Sequence, residues 1–116
     1  MQPHELTAWL GDDHGLTDEQ FADLLARADD IEARYPDPDD REEAQAALTV
    51  AYRLAVEDSS AVVAELAAAR SSARTAELAA LAGLRQAANQ LIPAGDRTES
   101  GFAREGGVDR QVSRLI

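Results

Sequence analysis

The clearest pattern in the chain is the apolar stripe within "LTDEQFADLLARADDIEARYP". Phe21, Leu24, Leu25, Ala28 and Ile31 recur at three-and-four spacing, with three aspartates and Arg27 between them. That period predicts an α-helix with one buried face. Thr17 and Gln20 have capping-box spacing, and Leu16 and Phe21 hold the positions of a hydrophobic staple. Pro36 disfavours helical backbone at Tyr35, so the predicted helix covers 17–35. "PDPDD" follows as a turn, with Asp39 or Asp40 placed to cap a second helix over 40–57. Glu42 and Glu43 lie in its first turn, where the positive helix end favours carboxylates. Its expected inner face is Ala44, Ala47, Leu48, Ala51, Leu54 and Ala55.

"EDSS" interrupts the pattern only weakly, and a long third helix over 60–92 follows. A single helix bending through 57–60 is the open alternative. Leu78, Leu81, Leu84, Ala88 and Leu91 repeat in a rhythm that suits a bundle seam or short coiled coil. Val62, Val63, Leu66, Ala69 and Ala73 make a slimmer continuation before it. Gly83 costs about 1 kcal/mol relative to alanine inside a helix. Pro93 and Gly95 end the helix, and "PAGDRTES" links it to the last segment. At the other end, Leu6, Trp9 and Leu10 form an apolar patch closed by Gly11, enough for a turn or two of helix.

The last segment, "ESGFAREGGVDRQVSRLI", reads as two short helices. Thr98 or Ser100 caps the first, Gly106 and Gly107 make the turn, and Asp109 caps the second. Phe102, Ala103 and Val108 are expected to face inward, with the end of the long helix as a third wall. The expected fold is all-α: a helical bundle with a long third helix and a C-terminal helix-turn-helix-like pair. Its parts are an acidic helical stretch (1–58), a long Ala/Leu-rich helix (59–92) and the terminal pair (97–116), within one compact domain.

Composition narrows the picture. A chain of 116 residues is long enough for one modest core. The 24 alanines and five aromatics favour close helix packing over a sheet. There is no cysteine, so neither a disulfide frame nor a thiolate metal site is available. No apolar run is long enough to span a bilayer and no leader pattern is evident, so the expectation is a cytoplasmic protein. All eleven basic residues are arginine, and together with the alanine content this reads as GC-rich codon usage. The formal charge of −11 is unevenly placed: residues 1–58 carry 16 acids against 4 arginines, and residues 59–116 carry 6 against 7. The acidity therefore belongs to the first half, and the second half can approach a phosphate backbone.

A helix-turn-helix presents its second helix to the major groove, where arginine pairs with guanine and glutamine with adenine. Arg110, Gln111 and Arg114 are left outward near the start of that second helix. The run "LRQAANQLIPAGDRTESGFAREGGVDRQVSRLI", residues 84–116, resembles the C-terminal helix-turn-helix of small regulator-like proteins of actinobacteria, their plasmids and their phages. The resemblance implies DNA binding and a regulatory role. It makes Arg110 and Gln111 base-reading candidates and Arg104 and Arg114 phosphate or base contacts, while Arg97 is a further phosphate candidate. Two departures from the pattern bear on affinity. The aliphatic Val112 arrives one position early, ahead of Ser113, and the motif normally continues for several residues beyond the position of Ile116.

Other chemistries find little to stand on. His4 and His14 with Asp12 and Asp13 lack a ligand register, and "DPDPDDREE" lacks the glycine and spacing of a calcium loop. No catalytic triad order, phosphate-cradling glycine loop or dinucleotide fingerprint is present, so neither enzyme activity nor a cofactor or metal is expected. A second class of function rests on the acidic half, which could dock on a basic protein partner, mimic DNA or act as an antitoxin-like inhibitor. The two classes differ in location: a DNA reader acts through 97–116, an acidic docking module through 18–58. A homodimer through the 40–57 and 60–92 helices is also expected, because the long helix is too apolar for two shorter ones to cover.

Overall fold

The computed structural model describes residues 1–107. These form five α-helices and one 3-10 turn, with no strand among the described residues: α1 (Pro3–Leu10), α2 (Asp18–Arg34), the turn (Pro38–Asp40), α3 (Arg41–Val56), α4 (Ser59–Leu91) and α5 (Glu99–Gly106). The all-α class is as the periodicity predicts. No helix among the described residues is long and apolar enough to cross a membrane. The chain divides into two compact units, Met1–Leu66 and Ala67–Ile116.

In the first unit, α2 begins as its capping box requires. The Gln20 backbone N–H donates to Thr17 Oγ1 at 3.1 Å, and Gln20 Oε1 accepts from the Thr17 N–H at 2.9 Å. Gln20 also donates through Nε2 to the Ala55 carbonyl at 3.1 Å, tying the start of α2 to the end of α3. Leu24, Ala28 and Ile31 of α2 are buried with Leu48 of α3 and Leu6 of α1. Leu16, Phe21 and Leu25 pack against this core, as the staple and stripe predict. The uncertain opening segment is a two-turn helix. Pro3 holds its first position, Glu5 accepts the Gln2 N–H at 3.0 Å, and Trp9 Nε1 donates to Gln45 Oε1 of α3 at 3.2 Å. The Met1 ammonium reaches Asp29 at 2.7 Å and Glu32 at 2.9 Å on α2.

Two local expectations for this unit are corrected. The side-chain cap before α3 is Asp37, whose Oδ1 accepts the Asp39 N–H at 2.9 Å; Asp40 occupies the N-cap position of α3 without a side-chain bond. The proline that starts the 3-10 turn moves the cap upstream, because Pro38 supplies no N–H and leaves Asp39 as the first donor. Second, Leu54 is 47 % exposed, while Tyr52 packs on the core in its place. Tyr52 lies four residues beyond Leu48 and shares its face, whereas Leu54 is rotated off it. As the interruption at "EDSS" predicts, α3 and α4 are separate helices. Glu57 is extended, and Asp58 restarts the chain by accepting the Ala61 N–H at 2.9 Å. Arg53 braces the corner, binding Glu57 at 2.8 Å and also pairing with Glu65 on α4. The Glu57 carboxyl is held below its ordinary pKa by the Arg53 hydrogen bond.

Helix α4 is covered at its ends and bare between them. Val62 is fully buried, Ala88 is fully buried, and every residue from 63 to 80 is exposed. Alanine-rich sequence keeps such a stretch helical through intrinsic propensity, without a packed face. The leucine rhythm is only partly a seam. Leu81, Leu84 and Leu91 are half-buried, but Leu78 is 52 % exposed. Two successive steps of three residues rotate the stripe by about 120°, which carries Leu78 away from Leu84.

Candidate nucleic-acid interface

The segment leading to the sequence-predicted site is anchored at each step. The chain leaves α4 through a folded turn: Gly95 has φ +83°, its N–H donates to the Ile92 carbonyl at 3.0 Å, and the Asp96 and Arg97 N–H groups donate to Leu91 at 3.0 and 3.3 Å. "PAGDR" thus satisfies the carbonyls left open at the end of α4. Thr98 caps α5, its Oγ1 accepting the Gly101 N–H at 3.0 Å. A Cβ at Gly101 would come to 3.0 Å from that oxygen, so glycine suits the position.

α5 buries Phe102 and Ala103, as predicted, and turns Arg104 and Glu105 outward. It ends at Gly107 with φ +64° and ψ +28°, a left-handed conformation that an L-residue adopts at a cost. The Gly107 N–H closes the helix on the Ala103 carbonyl. The first, capped helix of the expected pair is therefore in place; of the two glycines expected in the turn, Gly106 is the last residue of α5 and Gly107 is its left-handed cap. Val108, Asp109, Arg110, Gln111 and Arg114 lie outside the described residues.

Of the described candidates, Arg104 is exposed in the last turn of α5. Arg97 is engaged: Nε donates to Glu105 Oε2 at 2.8 Å, and Nη1 donates to the Asp96 carbonyl at 2.8 Å. Its guanidinium pKa is raised, first by the hydrogen bond to Glu105 and then by that carboxylate's charge. The pair is exposed, so solvent screens it strongly. The Arg97–Glu105 pair spans eight residues across a loop, a distance at which no helical spacing rule signals it. Arg85 was not a candidate; its Nε is buried in the second unit with no hydrogen-bond partner among the described residues.

Among the other polar candidates, His14 has a local structural role. His14 Nδ1 accepts the Leu16 N–H at 3.0 Å, and its ring lies 5.8 Å from Phe21, next to the cap of α2. Between α2 and α3 a shallow groove of about 550 Å³ is lined by Ile31, Tyr35, Ala47, Val50 and Leu54, with Arg27 and Glu43 among its charged lining residues.

The fold class and this site are what the chain offers for comparison. It matches no protein-family model, no curated protein and no solved structure.

Proposed function

We propose that the chain is a sequence-specific DNA-binding protein, a small transcriptional regulator that reads the duplex with the residues following α5. The observation that carries the reading is the pairing of a Thr98-capped short helix with a left-handed Gly107, the entry that a helix-turn-helix uses to set its second helix. Charge agrees with it: residues 67–116 hold seven arginines against five acids, while residues 1–66 hold four against seventeen. Arg110 and Gln111 then contact base edges, and Arg97, Arg104 and Arg114 meet phosphates or neighbouring bases.

The test is selection of a duplex site from random sequence, followed by titration of variants on it. Arg110→Ala or Gln111→Ala is expected to cost about 1–3 kcal/mol and to relax preference at one base position. Arg104→Ala is expected to weaken binding to all sequences alike and reduce the salt slope. Wild-type affinity in both base-reading variants would refute that role. Absence of binding to any duplex at low salt would refute DNA reading altogether and favour an acidic helical module that binds a basic protein.

A further inference from the structure

The exposed middle of α4 carries a face that nothing in the described chain covers. Leu66, Ala69, Ala73, Ala76, Ala80 and Gly83 follow one another at alternating spacings of three and four, the repeat of a coiled-coil seam. Leu66 is 42 % exposed, and every seam position from Ala69 to Gly83 is exposed as well. Two charged residues flank this seam on one side. Arg70 directly follows Ala69, and Glu77 directly follows Ala76, so the two lie seven residues apart on the same edge. Neither side chain has an ion pair or hydrogen bond among the described residues.

An edge bearing one arginine and one glutamate seven residues apart is complementary to itself when reversed. We infer that α4 pairs antiparallel with α4 of a second copy of this chain, about a two-fold axis passing between Arg74 and Thr75, with Arg70 of each copy against Glu77 of the other. A two-fold contact of this type uses the same patch twice, so both flanking charges are neutralised in one symmetric arrangement. The register sets Ala69 against the second copy's Ala80, Ala73 against its Ala76, and Leu66 against its Gly83. Alanine at each central layer permits close approach of the two helices. Gly83 gains a reason there: a Cβ at this position would meet nothing within 4 Å, so the described chain does not require glycine in the middle of a helix.

A parallel pair fits less well. It would set Arg70 against the second copy's Glu65, which Arg53 already holds, and would leave Glu77 facing Ser72. The acidic residues 1–66 make a poor self-docking surface, because two copies would bring like charge together there.

The test uses the full chain without DNA, so its outcome is independent of DNA reading. Sedimentation equilibrium is expected to give a dimer for the wild type. Arg70→Glu alone sets carboxylate against carboxylate, and Glu77→Arg alone sets guanidinium against guanidinium. Each is expected to dissociate about tenfold or more readily. An equimolar mixture of the two single variants restores both ion pairs and is expected to form a dimer of one each, as does the double variant with itself. Circular dichroism on each variant confirms that helix content is retained. Because the chain has no cysteine, a second measurement stands apart from charge. Ala69→Cys mixed with Ala80→Cys is expected to cross-link under mild oxidation, while neither variant cross-links with itself. A monomeric wild type at about 100 μM would overturn the inference, as would single-charge variants that dimerise like the wild type. Self-cross-linking of Ala69→Cys would replace the antiparallel arrangement with a parallel one.

Discussion

Replacing Gly107 with alanine isolates the feature on which the proposed interface turns. Gly107 sits at φ +64°, ψ +28°, where a Cβ crowds the following carbonyl and costs about 1–2 kcal/mol. A Cβ built there meets no atom of the described chain within 4 Å, so the cost is backbone strain without a steric clash. Against it stands the lower entropy of the unfolded chain, which favours alanine over glycine by about 0.4–1 kcal/mol. The net expectation is destabilisation of about 0.5–1 kcal/mol. Gly107→Asn is expected to lie nearer the wild type, since asparagine tolerates the left-handed region through local hydrogen bonding. Gly107→Val, branched at Cβ, is expected to be worse than alanine. Urea denaturation followed by circular dichroism ranks the three variants. Hydrogen exchange at α5 amides reports whether the loss is local to the helix that Gly107 closes. An alanine variant as stable as the wild type would show that the left-handed cap carries no energetic weight, and the geometric support for the DNA-reading proposal would fall with it.

Further outcomes follow from the first unit. Leu24→Ala, at a residue that is 1 % exposed, is expected to cost about 2–5 kcal/mol, whereas Leu54→Ala, at 47 % exposure, should stay below about 1 kcal/mol; comparable losses in urea melts would contradict the assignment of the α3 inner face. Thr17→Ala removes the acceptor for the Gln20 N–H and is expected to cost about 1 kcal/mol, with Thr17→Ser close to neutral by the same measurement. The Met1 ammonium is raised from 8.0 to about 10, chiefly by its hydrogen bonds to Asp29 and Glu32. Its contribution is therefore complete below pH 8 and lost as pH rises through about 10, so the urea midpoint of the wild type should fall more steeply between those values than that of an Asp29→Asn/Glu32→Gln double variant; parallel declines would argue against the pairing.

How much of this was legible in the sequence depended on whether a signal was local. The α2 capping box, the two ends of α4 and the Thr98 cap all rest on residues within one or two turns of each other, and each is in place. Expectations that depended on what a face meets fared differently. Periodicity places Leu54 and Leu78 near apolar neighbours on a helix, but it does not say which neighbouring element arrives there, and both side chains remain exposed. Caps were harder where several acids compete: "PDPDD" and "EDSS" each offer more than one carboxylate, and Asp37 and Asp58 were selected by the backbone geometry around them. At the site, Arg97 could be nominated by charge alone, while its engagement with Glu105 depends on a loop path that no spacing rule encodes.

The division of charge along the chain bears on specificity as well as on solubility. On the DNA-reading proposal, arginines of the second unit displace counterions from phosphates, and each contact steepens the loss of affinity with salt. The first unit opposes this, with seventeen acids against four arginines in residues 1–66. Its repulsion is long-ranged at low salt, where the Debye length reaches about 30 Å at 0.01 M, and short-ranged at physiological salt, where it is about 8 Å. Lowering the salt therefore strengthens attraction and repulsion together. Non-specific affinity should rise less steeply than the number of arginine contacts alone would dictate, and a plot of log K against log salt should flatten at the low end. On the same proposal, base contacts by Arg110 and Gln111 would depend less on this cancellation, because hydrogen bonds to base edges are less tied to counterion release. The net effect is discrimination achieved by weakening the competitor: an acidic unit that discourages bulk DNA leaves a selected site preferred without requiring unusually strong contacts to it. Neutralising exposed acids of α2, such as Asp23 and Asp30, should then raise affinity for random duplex more than for the selected site. Equal gains on both would show that the acidity does not contribute to selectivity.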